Sequence, residues 1–233
     1  MIMSHWMPRA GHSAVCVLAG VSLLIGCAID SSSGQSSRVP APSSETSAQK
    51  AVPLGPGQAD RLKRVMVPLI QVMNHPRPLN QVKLAVLDDP HINAASAGGG
   101  EFYVTTGLLQ KANDQQLMAV LAHEIAHDDL GHVAKAQALG VGVGIGAIIL
   151  DQIVPGAGQI APIAGTLITR SYSRKEEYEA DRHGAELLAK VGQPKQVMID
   201  TLTWLMQTEG PGGGGFFATH PATGDRIEAL RKA

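Results

Sequence analysis

Apolar positions along the chain change period several times, and each change marks an element. Between residues 59 and 73 (ADRLKRVMVPLIQVM) they recur at helical spacing, interrupted by Pro68. The run VKLAVL at 82–87 is a short strand candidate. Gly98 to Gly100 form a turn. Phe102-Tyr103-Val104-Thr105-Thr106 reads as a second strand, which Gly107 breaks. Asn113 or Asp114 begins a helix, with Gln116 placed as in a capping box, and the pattern carries that helix to about Leu139. Ser173 and Glu176 repeat the box and predict a helix to about Lys190. Further helices are expected over 194–207 and 221–232, separated by a flexible GPGGGG at 210–215. No repeat of 20–50 residues is present, so the chain carries no helical-repeat appendage. The expected class is α+β, mostly α, with a small sheet.

Two stretches depart from this pattern. Residues 1–26 read as a secretory signal: Arg9 gives a weakly basic start, and an apolar run from Ala14 to Ile25 follows. That run is too short to cross a hydrocarbon core of about 30 Å. It ends Leu24-Ile25-Gly26-Cys27, which resembles a bacterial lipobox, and so Cys27 is expected to carry the lipid. Ala28, not Asp, follows, which by resemblance to enterobacterial sorting favours the outer membrane. Residues 27–57 are Ser- and Pro-rich with few bulky apolar positions. They are expected to form a lipidated, disordered tether, because such a stretch cannot offset its own ordering entropy. The folded domain then spans 58–233. The second stretch, 139–169, is apolar and Gly-rich but broken by Asp151, Gln152 and Pro155. A buried or groove-forming helical hairpin fits it better than a transmembrane one.

Composition narrows the function classes. Nineteen basic and twenty acidic residues among 233 leave a net charge of −1, so no basic field points to nucleic acid. Aromatics make up 3 %, which argues for an aliphatic core and against a base-stacking platform. The two cysteines, Cys16 and Cys27, both lie near the N-terminus, so no disulfide framework staples the body.

The strongest chemical signal is His123-Glu124-Ile125-Ala126-His127, an H-E-x-x-H inside a confident helical window. Four residues are about 400° of helix, so both imidazoles share one face and can grip one Zn²⁺. Glu124, one step round, can serve as general base toward water at the metal without ligating it. A third ligand is needed, and Glu176, Glu177, Glu179 and Asp181 are available. Glu176 has the capping role. Glu177 and Asp181 share a face, so one can ligate while the other orients a histidine. His132 lies about 180° from His123 on a continuous helix and is expected to point away from the metal, as a structural or orienting histidine. His220, in Thr219-His220-Pro221, either donates to a developing oxyanion or simply starts the last helix. Arg226 is a further, less supported neighbour.

Together with Ser173-Arg174-x-x-Glu177-Tyr178-x-Ala180-Asp181 and Thr219-His220-Pro221, this H-E-x-x-H resembles the zinc metallopeptidase family of HtpX, Oma-type proteases and CaaX prenyl proteases. The likeness is strongest to its BepA-like and LoiP-like periplasmic and lipoprotein members, over roughly residues 60–233. It implies a gluzincin-type domain with an active-site helix, a second, glutamate-bearing helix, and a small sheet. It also implies one Zn²⁺ per chain, Glu177 as third ligand, and Asp181 as the residue that orients the first-helix ligands. In some members the histidine corresponding to His220 closes the metal as a fourth ligand. The segment from Asn93-Ala94 to Gly107-Leu108 echoes the family's edge strand, with Ala97 where Pro is common, and the strand Phe102, Tyr103, Val104 is expected to bind an extended substrate. The implied function is a lipid-anchored endopeptidase of the bacterial cell envelope, facing the periplasm, acting on misfolded or stalled envelope proteins. The alternative is an assembly factor that binds client strands with the zinc site closed.

Overall fold

The computed structural model describes residues 51–138, 171–210, 215–221 and 224–233. The signal, Cys27, the tether as far as residue 50 and the 139–169 segment lie outside the described residues. The end of the tether belongs to the folded body. Ala51 bridges to Leu87, and the Val52 amide donates to the Val86 carbonyl at 2.9 Å.

Helix α1 (Gln58–Gln71) buries Leu62, Val65, Met66, Leu69 and Ile70. Pro68 sits inside it, and the buried stripe carries the helix across the donor that proline lacks. Arg61 on α1 donates to the carbonyls of Leu109 and Ala112 and pairs with Asp114. That fixes helix α2 (Thr106–Lys111) against the start of α3 (Asp114–Asp129).

The sheet has three strands, β1 (Lys83–Leu87), β2 (Ala94–Gly98) and β3 (Glu101–Thr105), in the order β1-β3-β2. β3 runs parallel to β1 and antiparallel to β2. The expected edge strand, Phe102, Tyr103 and Val104, is therefore the central strand, with its backbone groups facing a partner on each side. The outer strand on the antiparallel side is β2, and its residues 94–97 are buried. It returns to β3 through Gly99-Gly100, both at positive φ, which a tight two-residue turn requires. The Thr105 amide donates to the Asn93 carbonyl at 3.0 Å, so ladder alternation turns the backbone groups of Ala94 and Ser96 away from β3. β2 packs directly on α3.

Both capping boxes form as the sequence predicts, Asn113 with Gln116 and Ser173 with Glu176. The expected helix to Leu139 does not. α3 ends at Asp129, Gly131 takes φ 69°, and a new helix, α4 (His132–Ala138), begins at His132. Asp128 and Asp129 anchor the break. Asp128 accepts from Arg77 and from the Gly100 amide, while Asp129 accepts from the amides of Asn74 and His75 and contacts His183 Nε2 at 2.7 Å.

Helix α5 (Arg174–Lys190) crosses α3 at a close backbone approach. A Cβ on Gly184 would lie 3.2 Å from the Ala122 backbone and 2.8 Å from Met198 Cε. Helices α6 (Gln196–Glu209), α7 (Phe216–Thr219) and α8 (Gly224–Lys232) complete the described residues. The main core is aliphatic, with Phe102, Phe216 and Phe217 as its buried phenylalanines.

Two outcomes follow. Gly184→Val forces α5 off α3 and is expected to cost about 2 kcal/mol, within the usual range for overpacking, read as a lower thermal midpoint. Burial raises the Asp129 pKa, but His183 and the two backbone donors outweigh it and hold the carboxyl below its ordinary value. The stabilisation is then present above about pH 4 and lost as pH falls through the lowered pKa. Asp129→Asn is expected to destabilise by about 2 kcal/mol at pH 7, and the gap from the wild-type chain should close in acid-unfolding curves as pH falls through the lowered pKa.

Candidate metal centre

Helix α3 presents His123 and His127 on one face, with Nε2 atoms 3.1 Å apart. Glu177, in the first turn of α5, brings Oε2 to 3.5 Å from His123 Nε2 and Oε1 to 3.5 Å from His127 Nε2. His220, just after α7, places Nδ1 3.2 Å from His123 Nε2 and 3.1 Å from Glu177 Oε1. One donor atom from each of these four residues lies within 4.8 Å of the others, and all four side chains are buried. Neighbouring donors around a tetrahedral zinc are about 3.3 Å apart for bonds of 2.0–2.1 Å, close to the separations seen here.

Several atoms in this cluster lack an aligned hydrogen bond: both oxygens of Glu124, Glu177 Oε2, His123 Nδ1 and His220 Nε2. Distance is not what they lack. His220 Nε2 is 3.2 Å from Glu124 Oε1, and Arg226 Nη1 is 2.6 Å from Glu177 Oε2, but the directions are wrong. Buried polar atoms left in this way are expensive, and they surround a set of four convergent donors that fits a cation-binding site.

A surrounding layer fixes the donors. Asp181, one turn after Glu177, sets Oδ1 3.0 Å from His123 Nδ1. Arg226 on α8 grips Asp181 through Nε and Nη2, each at 2.7 Å. Tyr172 stacks on the His127 ring at 3.8 Å, and Phe216 stacks on His220 at 4.4 Å. Burial pushes the His123 pKa down, but Asp181 and Glu177 beside it win and raise it to about 9. For His127 burial wins, aided by the neighbouring imidazoles, and its pKa falls well below the ordinary value. Burial also raises the Glu177 carboxyl, and His220, Arg226 and the two α3 imidazoles more than offset it, leaving it well below the usual carboxylate range. Zinc is held by unprotonated imidazole and carboxylate, so at His123 the cation competes with a proton.

The structure brings together His123, Glu124, His127, Glu177, Asp181 and His220. Arg226, with less support from the sequence, is wholly buried against two of the acids. His132 does not point away from the centre. The break at Gly131 returns it to His127, Nδ1 to Nδ1 at 2.9 Å. Tyr172 was not foreseen, and the capping-box serine that follows it is the sole sequence signal near it. Among the described residues, Phe102, Tyr103 and Val104 lie in the central strand, and the outer strand over α3 is β2.

Among known proteins, the model of peptidase family M48 matches residues 56–233. "Metalloprotease LoiP" of Escherichia coli is 28 % identical over 145 residues, 60 % of this chain and 58 % of its own length. "Metalloprotease YcaL" of the same organism is 28 % identical over 151 residues, 60 % of this chain and 57 % of its own. The human mitochondrial "Metalloendopeptidase OMA1" is 32 % identical over 191 residues, 72 % of this chain and 36 % of its own. The chain thus spans less than two thirds of the length of each of these relatives. With the match running from residue 56 to residue 233 and the buried His-His-Glu-His cluster suited to a single zinc ion, this chain belongs to peptidase family M48.

Proposed function

We propose that this chain is a zinc-dependent endopeptidase. The observation that carries the reading is the buried donor cluster with the buried Glu124 carboxylate beside it, its oxygens without an aligned hydrogen bond. In this reading His123, His127 and Glu177 hold the zinc, and Asp181, clamped by Arg226, orients His123. When bound, the zinc supplies Lewis-acid polarisation of the scissile carbonyl and lowers the pKa of water at the site. Glu124 takes the proton from the attacking water and passes it to the leaving amine. His220, whose Nε2 faces Glu124, gives an N–H to the charge developing on the carbonyl oxygen. β2, the outer strand packed on α3, is the strand from which an extended peptide would lengthen the sheet. That replaces the 102–104 strand as the docking edge.

The substrates in this reading are unfolded or misassembled proteins of the bacterial envelope, because a main-chain docking edge selects extended chains. Lipidation at Cys27 would hold the domain to the outer membrane on its periplasmic side, with residues 1–26 removed as the signal. Leu24-Ile25-Gly26-Cys27 and the twelve-residue apolar run before it support this. No helix among the described residues is long and apolar enough to cross a membrane.

The second reading, an assembly factor that binds client strands behind a closed zinc site, draws support from His220 standing as a fourth donor in the cluster. Two variants separate the readings. Glu124→Gln is expected to keep one zinc per chain by metal analysis and to lower kcat on unfolded casein about 10²–10⁴-fold, and chelation should abolish cleavage by the wild-type chain. Cleavage that survives both treatments would sink the hydrolase reading. His220→Phe, which preserves the stack on Phe216, is expected to retain zinc and lower kcat about 10²–10³-fold with KM nearly unchanged. A rise in turnover would instead give His220 the role of closing the site.

A further inference from the structure

His127 has two ring nitrogens with different neighbours. Nε2 faces the donor cluster, 3.1 Å from His123 Nε2 and 3.5 Å from Glu177 Oε1. Nδ1 faces His132 Nδ1 at 2.9 Å, and both rings are buried. Two imidazole nitrogens at that distance share one proton: two bare lone pairs repel, and two N–H groups collide. If His132 supplied the proton, neutral His127 would carry its own on Nε2, in the way of a cation. If His127 supplies it, Nε2 is bare. Neutral His132 must then carry its proton on Nε2, and that atom lies 3.3 Å from Glu179 Oε2. Glu179 is an acceptor there, two-thirds buried and paired outward with Lys175 at 3.6 Å. With His132 neutral, only the second arrangement satisfies both contacts, and only it leaves His127 Nε2 bare for a cation.

We infer that His132 and Glu179 are positioning residues for the metal centre: His132 accepts the Nδ1–H of His127, Glu179 accepts the Nε2–H of His132, and the chain of contacts keeps His127 Nε2 bare and aimed at the cation. The inference rests on the zinc reading of the site. Asp181 Oδ1 stands 3.0 Å from the outer nitrogen of His123 on the other side, so each α3 imidazole has a polar neighbour there, from α4 or α5. The device depends on Gly131, because on an unbroken helix His132 would stand about 140° round from His127 and could not reach it. Outer contacts of this kind set the tautomer and basicity of a ligating imidazole.

The test uses the full chain and zinc alone. His132→Asn keeps an acceptor oxygen where Nδ1 stands, and His132→Leu removes it at similar volume. Zinc affinity, measured by competition with a chelator of known Kd, should fall about 10–100-fold for His132→Leu and stay within about threefold of wild type for His132→Asn. Equal affinities for all three chains, or equal losses in both variants, would overturn the inference. If His132→Leu does not fold, the wild-type chain decides. Proton–nitrogen NMR of the zinc-loaded protein should show His127 protonated at Nδ1 and His132 at Nε2, and any other tautomer pair refutes the assignment. A wild-type chain that takes up no zinc overturns the reading of the site itself, and this inference with it.

Discussion

Three buried carboxylates, Glu124, Glu177 and Asp181, face one buried guanidinium, Arg226. With neutral imidazoles that leaves two negative charges uncompensated in a low-dielectric pocket, which a dication balances. Most of the architecture can be read as the means of meeting that demand. α3 supplies the imidazoles and Glu124, α5 supplies Glu177 and Asp181, and α8 supplies the arginine that keeps the two acids of α5 from repelling each other apart. None of these helices holds its share of the charge alone.

The parts of this arrangement that follow helical periodicity were legible in the chain. His123, Glu124 and His127 occupy one turn, Glu177 and Asp181 another, and each helix begins at a capping box whose partners are three residues apart. What escaped is set by backbone conformation or by distant contact. β2, with the sequence AASAG, lacks the branched or aromatic alternation that marks a strand, so the sequence pattern points to its neighbour 101–105 instead. Gly131 lies in a stretch whose composition continues the helix, and only its left-handed backbone reveals the break. Arg226 meets Asp181 across 45 positions of sequence, a separation no local pattern encodes.

The sheet contributes rigidity more than chemistry. β3 is clasped on both sides, and the turn at Gly99-Gly100 is tied through the Gly100 amide to Asp128 at the C-terminal end of α3. One helix therefore carries the reacting side chains near its middle and bears the strand scaffold at its end. β2 and the donor cluster are thus both held by the same rod.

The approach of Gly184 to the Ala122 backbone carries one further consequence. It sets how far α5 stands from α3, and hence the span between Glu177 and the two imidazoles. The absence of a side chain at position 184, against the residue that precedes His123, is thus part of what sets the gauge of the pocket. An attempt to retune the site for a larger cation by exchanging donors alone would leave that gauge untouched, whereas a single methyl group at position 184 would alter it.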